Sequence, residues 1–220
     1  MDATEGEAFP PSEPALSSGL PDSELVNQRS VKLMMEVAKG NHKAFSELVT
    51  IHQHAIVGTI AKMLGNPNDA EDLAQQVFLR VWKSAPRYQP TAKFTTWLFT
   101  ITRNLVFNEV RRRQRKPVVS LQQEQEEESY ERQIPVDESQ NPDAAALQKE
   151  LEEAVDHAIA SLPEKQRLAV VLRRYEDLPY EQIGEILNLS LPAVKSLLFR
   201  ARMQLRQELQ NYLEDDSADL

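Results

Sequence analysis

Cysteine is absent from the 220 residues of this chain, which excludes disulfide bonds, thiol catalysis and cysteine-ligated zinc together. No run of eighteen apolar residues occurs, so we expect no transmembrane helix. The N-terminus has neither a basic start nor an apolar core, which argues against a secretory signal. The six glycines form no phosphate-cradling loop. These absences favour a cytoplasmic protein that uses no cofactor or metal.

Alternating strand patterns are missing as well, and apolar residues recur instead at three- and four-residue spacing, which predicts an all-α protein. After the first helical run, Gly65, Asn66 and Pro67 mark a boundary, and Asp69 is the predicted N-cap of the next helix. The predicted order is a disordered acidic tail (1–28), a helical domain (29–116), a flexible acidic linker (117–145), a second helical domain (146–212) and an acidic tail (213–220).

The net charge of −9 hides two basic blocks. Residues 31–116 carry fourteen basic and six acidic side chains, a net charge of +8. Residues 165–206 carry eight basic and four acidic side chains, a net charge of +4, whereas residues 117–164 between them carry −11, from two bases and thirteen acids. Two basic blocks on an acidic chain suggest two anion-binding modules, although charge runs are commonly solvated faces.

A helix-turn-helix pattern occupies residues 180–206. Such a motif needs a small residue where its helices cross, a sharp turn and a capped second helix, and Gly184, Asn188 and Ser190 supply these in order. Pro192 suits the first turn of the second helix. That helix would present a recognition surface of basic, polar and aromatic side chains to DNA: Lys195, Ser196, Phe199, Arg200 and Arg202.

The other basic block ends in a helix from Phe94 to Lys116. One side of this helix collects an aromatic–basic stripe: Trp97, Thr100, Asn104, Phe107, Asn108, Arg111 and Arg115. Such side chains stack on bases, bond to their edges and hold phosphates. The alternative is that Trp97 and Phe107 are core residues and that the arginines only end the helix. The presence of two asparagines beside these aromatic and basic residues favours nucleic-acid binding over that alternative.

The preceding helix carries a polar face around one leucine. Ala70, Leu73, Ala74, Val77, Phe78 and Val81 project to the buried side. The opposite side holds a partner face with Leu79 at its centre: Asp72, Gln75, Gln76, Leu79 and Lys83. A leucine ringed by polar residues favours a protein partner, although single exposed apolar residues are common.

Six motifs in this order resemble the extracytoplasmic-function (ECF) group of RNA polymerase sigma factors. They are DAEDLAQQVFLRVW (Asp69–Trp82), FTTWLF (Phe94–Phe99), RNL (Arg103–Leu105), LP (Leu162–Pro163), AVKS (Ala193–Ser196) and RAR (Arg200–Arg202). The resemblance covers roughly residues 31–116 and 146–210, and it implies a sigma region-two domain followed by a region-four helix-turn-helix domain.

The resemblance also implies partners for the three surfaces. The partner face, with Asp69 and Glu71 added, would bind the clamp coiled coil of core RNA polymerase. The aromatic–basic stripe, with Arg112 added, would bind the −10 promoter element and hold a flipped base. The recognition surface, with Ser190 and Ala193 added, would bind the −35 element. Polymerase would supply the chemistry, so no catalytic residue is expected.

Some positions depart from the pattern of the group. Asn108 stands where an acid is common, and Phe199 stands where histidine is usual. These departures leave the promoter sequence open. Members of the group are often held inactive by an anti-sigma factor, and the sequence leaves open whether such a partner binds this chain.

Two other functions are compatible with parts of the same sequence. A conventional helix-turn-helix regulator would bind an operator without joining polymerase, usually as a dimer on a palindrome, and it would give no reason for the partner face. An enzyme finds less support, because His52 and His54 lie on different sides of one helix and Glu47 is the nearest acid.

Overall fold

The computed structural model describes residues 20–115 and 142–218, with side chains described for 23–66, 68–115 and 148–210. The regular structure in these ranges is entirely helical, which confirms the predicted all-α class. The helices are α1 (Leu20–Ala38), α2 (His42–Leu64), α3 (Pro67–Ser84), α4 (Phe94–Arg115), α5 (Pro142–Ser161), α6 (Glu164–Arg174), α7 (Tyr180–Leu187) and α8 (Leu191–Ala218). A short 3-10 turn, Ala85–Arg87, separates α3 from α4.

The boundary between α2 and α3 follows from three consecutive residues. Gly65 ends α2 in the left-handed conformation (φ 71°), which glycine adopts without steric cost. The side chain of Asn66 then accepts a hydrogen bond from the amide of Asn68, and Pro67 occupies the first helical position. Asn66 is therefore the N-cap, and the prediction of Asp69 is wrong. Asp69 lies in the first turn, where the positive end of the helix dipole stabilises its negative charge.

Helix α2 is the centre of the N-terminal domain and packs against α1, α3 and α4. Its apolar positions, spaced at three and four residues, are buried: Leu48, Ile56, Ile60 and Met63. His52 lies on the same face and is also buried. Ser30 of α1 donates its hydroxyl hydrogen to the carbonyl of Val26, which leaves Nε2 of His52 to donate to Ser30 Oγ over 2.8 Å. Burial lowers the pKa of His52 to about 4, so the ring is neutral at pH 7.

Helices α5 to α8 form the C-terminal domain, and α7 and α8 form its helix-turn-helix. Asn188 ends α7 in the left-handed conformation (φ 54°), as expected of the turn. Gly184 lies at the crossing, where an added Cβ would stand 2.8 Å from the carbonyl oxygen of Leu189. Pro192 occupies the first turn of α8. The close crossing, the turn and the proline in the first turn of α8 are therefore as the sequence predicts, and the cap by Ser190 stays a prediction.

Three predicted boundaries need correction. Residues 20–28 belong to α1 rather than to a disordered tail, and residues 1–19 lie outside the described residues. Helix α5 begins at Pro142, within the predicted linker, of which residues 116–141 lie outside the described residues. Helix α8 continues to Ala218, so most of the predicted acidic tail is helical. Sequence alone misplaced these ends because acidic, weakly periodic segments have no apolar stripe to mark a helix.

The two domains are in contact, which the expectation of two bundles on a tether did not anticipate. Helix α2 packs against α5 and α6, and α4 packs against α7. The buried apolar residues of both domains join into one cluster. The first helix of the helix-turn-helix therefore lies on the helix that carries the aromatic–basic stripe.

Candidate functional site

The partner face is exposed as the sequence predicts. All six apolar residues on the opposite side of α3 are buried. On the outer side Leu79 is 51 % exposed, although every other leucine, valine and phenylalanine of the helix is buried. The polar members Glu71, Asp72, Gln75, Gln76 and Lys83 are exposed around it. The helix therefore presents one apolar side chain surrounded by two acids, two amides and one lysine.

Asp69 differs from the other members because it is tied to α4. Its carboxylate accepts a hydrogen bond of 2.8 Å from Arg113, which also donates to Glu109 over 3.0 Å. Arg112 donates to both oxygens of Glu109 at 2.7 Å. The hydrogen bonds from Arg112 and then Arg113 lower the pKa of Glu109 to about 2, against the opposing effect of burial. This network fixes the basic end of α4 against the start of α3.

The first half of the aromatic–basic stripe lies in an aromatic cluster. The ring of Trp97 is half-buried, with its centroid 4.9 Å from that of Tyr88 and 5.6 Å from that of Phe94. Thr100 donates its hydroxyl to the carbonyl of Thr96 within the same helix. The cluster holds Trp97 beside the loop that joins the 3-10 turn to α4, with part of the ring accessible.

The second half of the stripe is open and basic. Asn108, Arg111, Arg112 and Arg115 line one cleft, and all four are exposed. Asn104 is exposed, and its side-chain oxygen accepts two hydrogen bonds from Arg103. Phe107 is only 8 % exposed and belongs to the core. Helices α2, α3 and α7 all pack against α4. More of its circumference is therefore buried than a single apolar stripe would cover.

The recognition surface projects from the outer side of α8. Val194, Leu198 and Ala201 are buried against the domain. The outward positions hold Ser190, Lys195, Ser196, Phe199, Arg200 and Arg202, all exposed, with Ala193 half-buried. Phe199 is 60 % exposed, which is unusual for so large an apolar ring. The arrangement offers positive charge and one aromatic ring on the exposed side of the second helix of the helix-turn-helix, which suits a DNA groove.

Sequence reasoning missed three residues. Met203 is exposed one turn beyond Phe199, at a spacing of four residues that could have indicated it. Arg103 and Arg167 each bond to main-chain carbonyls of the other domain, and burial lowers the pKa of both. No local pattern could have indicated these arginines, because their partners lie 83 and 104 residues away in the sequence.

Neither a metal site nor a membrane span emerges from the described part of the chain. No three histidine or acidic side chains in it are arranged to hold a metal ion. None of its helices is both long and apolar enough to cross a bilayer.

Comparison with known families gives two matches along the chain. The Sigma-70 region 2 family matches residues 48–116, and the Sigma-70, region 4 family matches residues 152–205. The first range contains the partner face and the aromatic–basic stripe. The second contains residues 180–205 of the helix-turn-helix pattern and all of the recognition surface.

Curated relatives extend the similarity over most of the chain. The RNA polymerase sigma-H factor of Pseudomonas aeruginosa is 31 % identical over 191 residues, which cover 87 % of this chain and 99 % of the relative. The ECF RNA polymerase sigma factor SigW of Bacillus subtilis is 34 % identical over 183 residues, which cover 82 % of this chain and 96 % of the relative.

Solved structures share the fold at lower identity. CnrH, solved in complex with the cytosolic domain of CnrY, superposes with a TM-score of 0.61 at 22 % identity, covering 83 % of this chain and 98 % of that one. The sigma factor RpoE of Bartonella quintana, solved with the anti-sigma factor NepR, gives a TM-score of 0.56 at 21 % identity, covering 76 % of this chain and 98 % of that one.

Proposed function

This chain belongs to the ECF group of RNA polymerase sigma factors, which direct promoter recognition by polymerase, and we propose that three of its surfaces divide that work. The partner face binds core polymerase, the aromatic–basic stripe binds the −10 element, and the recognition surface binds the −35 element. One observation carries the proposal. Leu79 is exposed on α3, although every other leucine, valine and phenylalanine of that helix is buried.

The partner face suits a basic, partly apolar protein surface. Leu79 would fill a shallow apolar pocket, while Asp72 and Glu71 would pair with basic residues at its rim. Interfaces of this kind depend on a central apolar anchor, and rim charges set the rate and orientation of association. Asp69 supports the face by holding α3 against α4 through Arg113.

The aromatic–basic stripe suits a strand whose bases have left the stack. The half-buried ring of Trp97 offers a surface for stacking, Asn104 and Asn108 offer amides for base edges, and Arg111 and Arg115 offer charge for phosphates. Thr100 lies between the ring and the first amide. Arg112 pairs with Glu109 and so contributes less net charge to the stripe than Arg111 and Arg115. Phe107 supports the stripe from the core.

The recognition surface suits the major groove of duplex DNA. Lys195, Arg200 and Arg202 would contact phosphates or guanine edges, and Ser196 would bond to either. Phe199 would contact a thymine methyl group. Ser190 and Ala193, at the start of the helix, would allow the backbone to approach a phosphate closely.

The proposed role needs no catalytic residue, because sigma factors are DNA-binding initiation factors and polymerase forms the bonds. Core polymerase and promoter DNA lie in the bacterial cytoplasm, which we propose as the location of this chain. We also propose an anti-sigma factor as a partner, since one protein of the same fold was solved in complex with such a factor.

Size exclusion with purified core polymerase tests the partner face. The wild-type chain should co-elute at one-to-one stoichiometry, and Leu79→Glu should reduce the bound fraction at least tenfold. Leu151→Glu is the matched control, because Leu151 is 48 % exposed on α5, in the other domain, and should still co-elute. If Leu79→Glu co-elutes like the control, the interface lies elsewhere. A wild-type chain that stays free and binds duplex DNA as a dimer would instead be a conventional regulator.

Transcription of fragmented host genomic DNA by the reconstituted holoenzyme tests the two DNA surfaces. Sequencing the 5′ ends of the transcripts should identify shared −10 and −35 elements. Arg200→Ala should then alter the preference at the −35 element, and Asn104→Ala should alter it at the −10 element. An unchanged preference in either variant would remove that residue from its proposed surface.

A further inference from the structure

Helix α1 lies before the range that the Sigma-70 region 2 family matches, which begins at residue 48. Near its start Leu25 and Val26 are exposed, so neither of these apolar side chains holds the first turns of α1 against the domain. The polar contacts of α1 lead instead to the start of α4, next to Trp97. The helix therefore has a connection to the aromatic–basic stripe that the family match does not include.

Asn27 of α1 caps helix α4 from outside that helix. The first amides of a helix have no carbonyl partner within it, and a side chain commonly supplies the acceptor. Lys93, directly before α4, has a side chain that can only donate. The side-chain oxygen of Asn27 accepts a hydrogen bond of 2.8 Å from the amide of Phe94, the first residue of α4. The acceptor for this amide thus comes from α1, 67 residues earlier in the chain.

Two further contacts join α1 to the same place. Ser30, one turn further along α1, is completely buried and accepts a hydrogen bond of 2.8 Å from Nε2 of His52. The ring centroid of His52 lies 5.1 Å from that of Phe94. At the surface, Glu24 lies 3.8 Å from the ammonium of Lys93, and this exposed ion pair contributes little. Helix α1 thus holds Phe94 directly at its amide and, through His52, at its ring.

Phe94 connects the cap to Trp97. Phe94 is completely buried, and its ring centroid lies 5.6 Å from that of Trp97 and 6.1 Å from that of Tyr88. The amide of Trp97 also donates the first hydrogen bond of α4, over 3.2 Å to the carbonyl of Lys93. Because helices fray from their ends, this bond is the first to break when the start of α4 loosens. The cap at Phe94 therefore determines how firmly the ring of Trp97 is held.

A ring that stacks on a base needs a fixed orientation. Tyr88 packs edge-on against Trp97 at 4.9 Å between centroids, which leaves part of the half-buried Trp97 ring exposed. If the ring sampled several orientations, only the fraction of molecules with the correct one could bind, and ordering the ring would reduce the affinity. Loss of the cap would thus weaken stacking without removing any atom that contacts DNA.

We propose that Asn27 is a positioning residue of the aromatic–basic stripe: by capping α4, it holds Trp97 in the orientation that stacks on a base of the −10 element. Helix α1 then contributes to −10 binding although none of its side chains needs to contact DNA. Aspartate would serve in place of Asn27, because a carboxylate accepts the same hydrogen bond and is stabilised at a helix N-terminus, whereas alanine would not. The proposal rests on the proposed function of the stripe.

Fluorescence of Trp97 in the free chain tests whether the cap holds the ring. The chain has two tryptophans, so Trp82→Phe leaves Trp97 as the only one. In this background Asn27→Ala should raise the acrylamide quenching constant about twofold, and Asn27→Asp should leave it unchanged. Asn41→Ala is the matched control, because Asn41 caps α2 in the same domain by accepting hydrogen bonds from two amides of its first turn. Loss of that cap should not change the quenching of Trp97.

Binding of the holoenzyme to DNA tests whether the cap matters for the −10 element. Fluorescence anisotropy compares a labelled single strand that carries the −10 element with a duplex that carries only the −35 element. Asn27→Ala should weaken binding to the single strand about fivefold, the effect of one helix cap, and should leave binding to the duplex unchanged. Asn27→Asp and Asn41→Ala should bind both oligonucleotides as the wild-type chain does.

Unchanged quenching of Trp97 in Asn27→Ala, or unchanged affinity of that variant for the single strand, would overturn the proposal. Equal losses in Asn27→Ala and Asn41→Ala would overturn it as well, because they would show only a general loss of stability. A wild-type holoenzyme without preference for the −10 strand would contradict the proposed function of the stripe instead. The quenching in the free chain would then still decide whether α1 holds the ring of Trp97.

Discussion

Replacing Gly184 with alanine should destabilise the helix-turn-helix, whereas the same replacement at Gly58 should stabilise α2. Both glycines lie inside helices. A Cβ at Gly184 would stand 2.8 Å from the carbonyl oxygen of Leu189 and 3.6 Å from a methyl group of Val194. A Cβ at Gly58 would meet nothing within 4 Å. The two substitutions therefore make the same chemical change with and without a steric conflict.

The expected magnitudes follow from two opposing effects. Alanine is favoured over glycine in a helix interior by about 0.5–1 kcal/mol, and both variants gain this. Overpacking a tight contact costs about 1–3 kcal/mol, and only Gly184→Ala incurs it, because the carbonyl of Leu189 belongs to the turn and cannot rotate away freely. Gly58→Ala should thus stabilise by about 0.5–1 kcal/mol, and Gly184→Ala should fall about 1–3 kcal/mol below it.

Urea unfolding followed by circular dichroism measures both free energies of unfolding, and hydrogen exchange assigns each change to its helix. Gly184→Ala should also weaken binding to the −35 element, because the added Cβ displaces the turn and so changes the orientation of α8. Equal changes in stability for the two variants would refute the steric argument. A stabilised Gly184→Ala chain would mean that the two helices do not cross as closely as described.

Three other consequences can be measured independently. The pKa of His52 in the folded chain, about 4, lies below its ordinary value of 6.5, so the folded state favours the neutral ring. The contribution of His52 to the free energy of unfolding is therefore complete above pH 6.5, and about 3 kcal/mol of it is lost as the pH falls toward 4. Urea unfolding of His52→Gln should lack this slope, and an unchanged slope would exclude His52 as its source. Arg112→Gln should raise the pKa of Glu109 from about 2 toward 4.5 in an NMR titration, and a constant pKa would contradict the bidentate contact. Asn188→Ala should cost about 1 kcal/mol by thermal unfolding, and Asn188→Gly about zero, because Asn188 has a positive φ; equal costs would contradict that conformation.

Sequence patterns predicted the amphipathic helices well because a single helix determines which of its residues share a side. Helix α3 is the clearest case, since all six predicted apolar positions are buried and Leu79 is exposed. The turn at Asn188 and the crossing at Gly184 were likewise predictable, because few residues tolerate those local geometries.

Features that depend on several helices were not predictable in the same way. Phe107 falls on the aromatic–basic stripe of an isolated helix, but packing of α4 on three sides buries it. Asn66 and Asp69 were both competent N-caps, and the structure uses the one directly before a proline. The contact between the domains depends on arginines whose partners are main-chain carbonyls, which carry no sequence signature.

Because the two domains pack against each other, any ligand that binds only when they are apart must overcome the free energy of that packing. If closed molecules outnumber open ones by a hundred to one, the apparent affinity for such a ligand is about a hundredfold weaker than the intrinsic affinity, equivalent to about 2.7 kcal/mol. Lys62 pairs with Asp156 over 2.7 Å, and Thr96 donates to Gln182 over 3.4 Å, both between the domains. Substitutions at Lys62 or Thr96, which belong to none of the three proposed binding surfaces, would then tighten the binding of such a ligand by the amount that they weaken the packing. The strength of this packing would thus set the concentration of such a ligand that is needed to separate the domains.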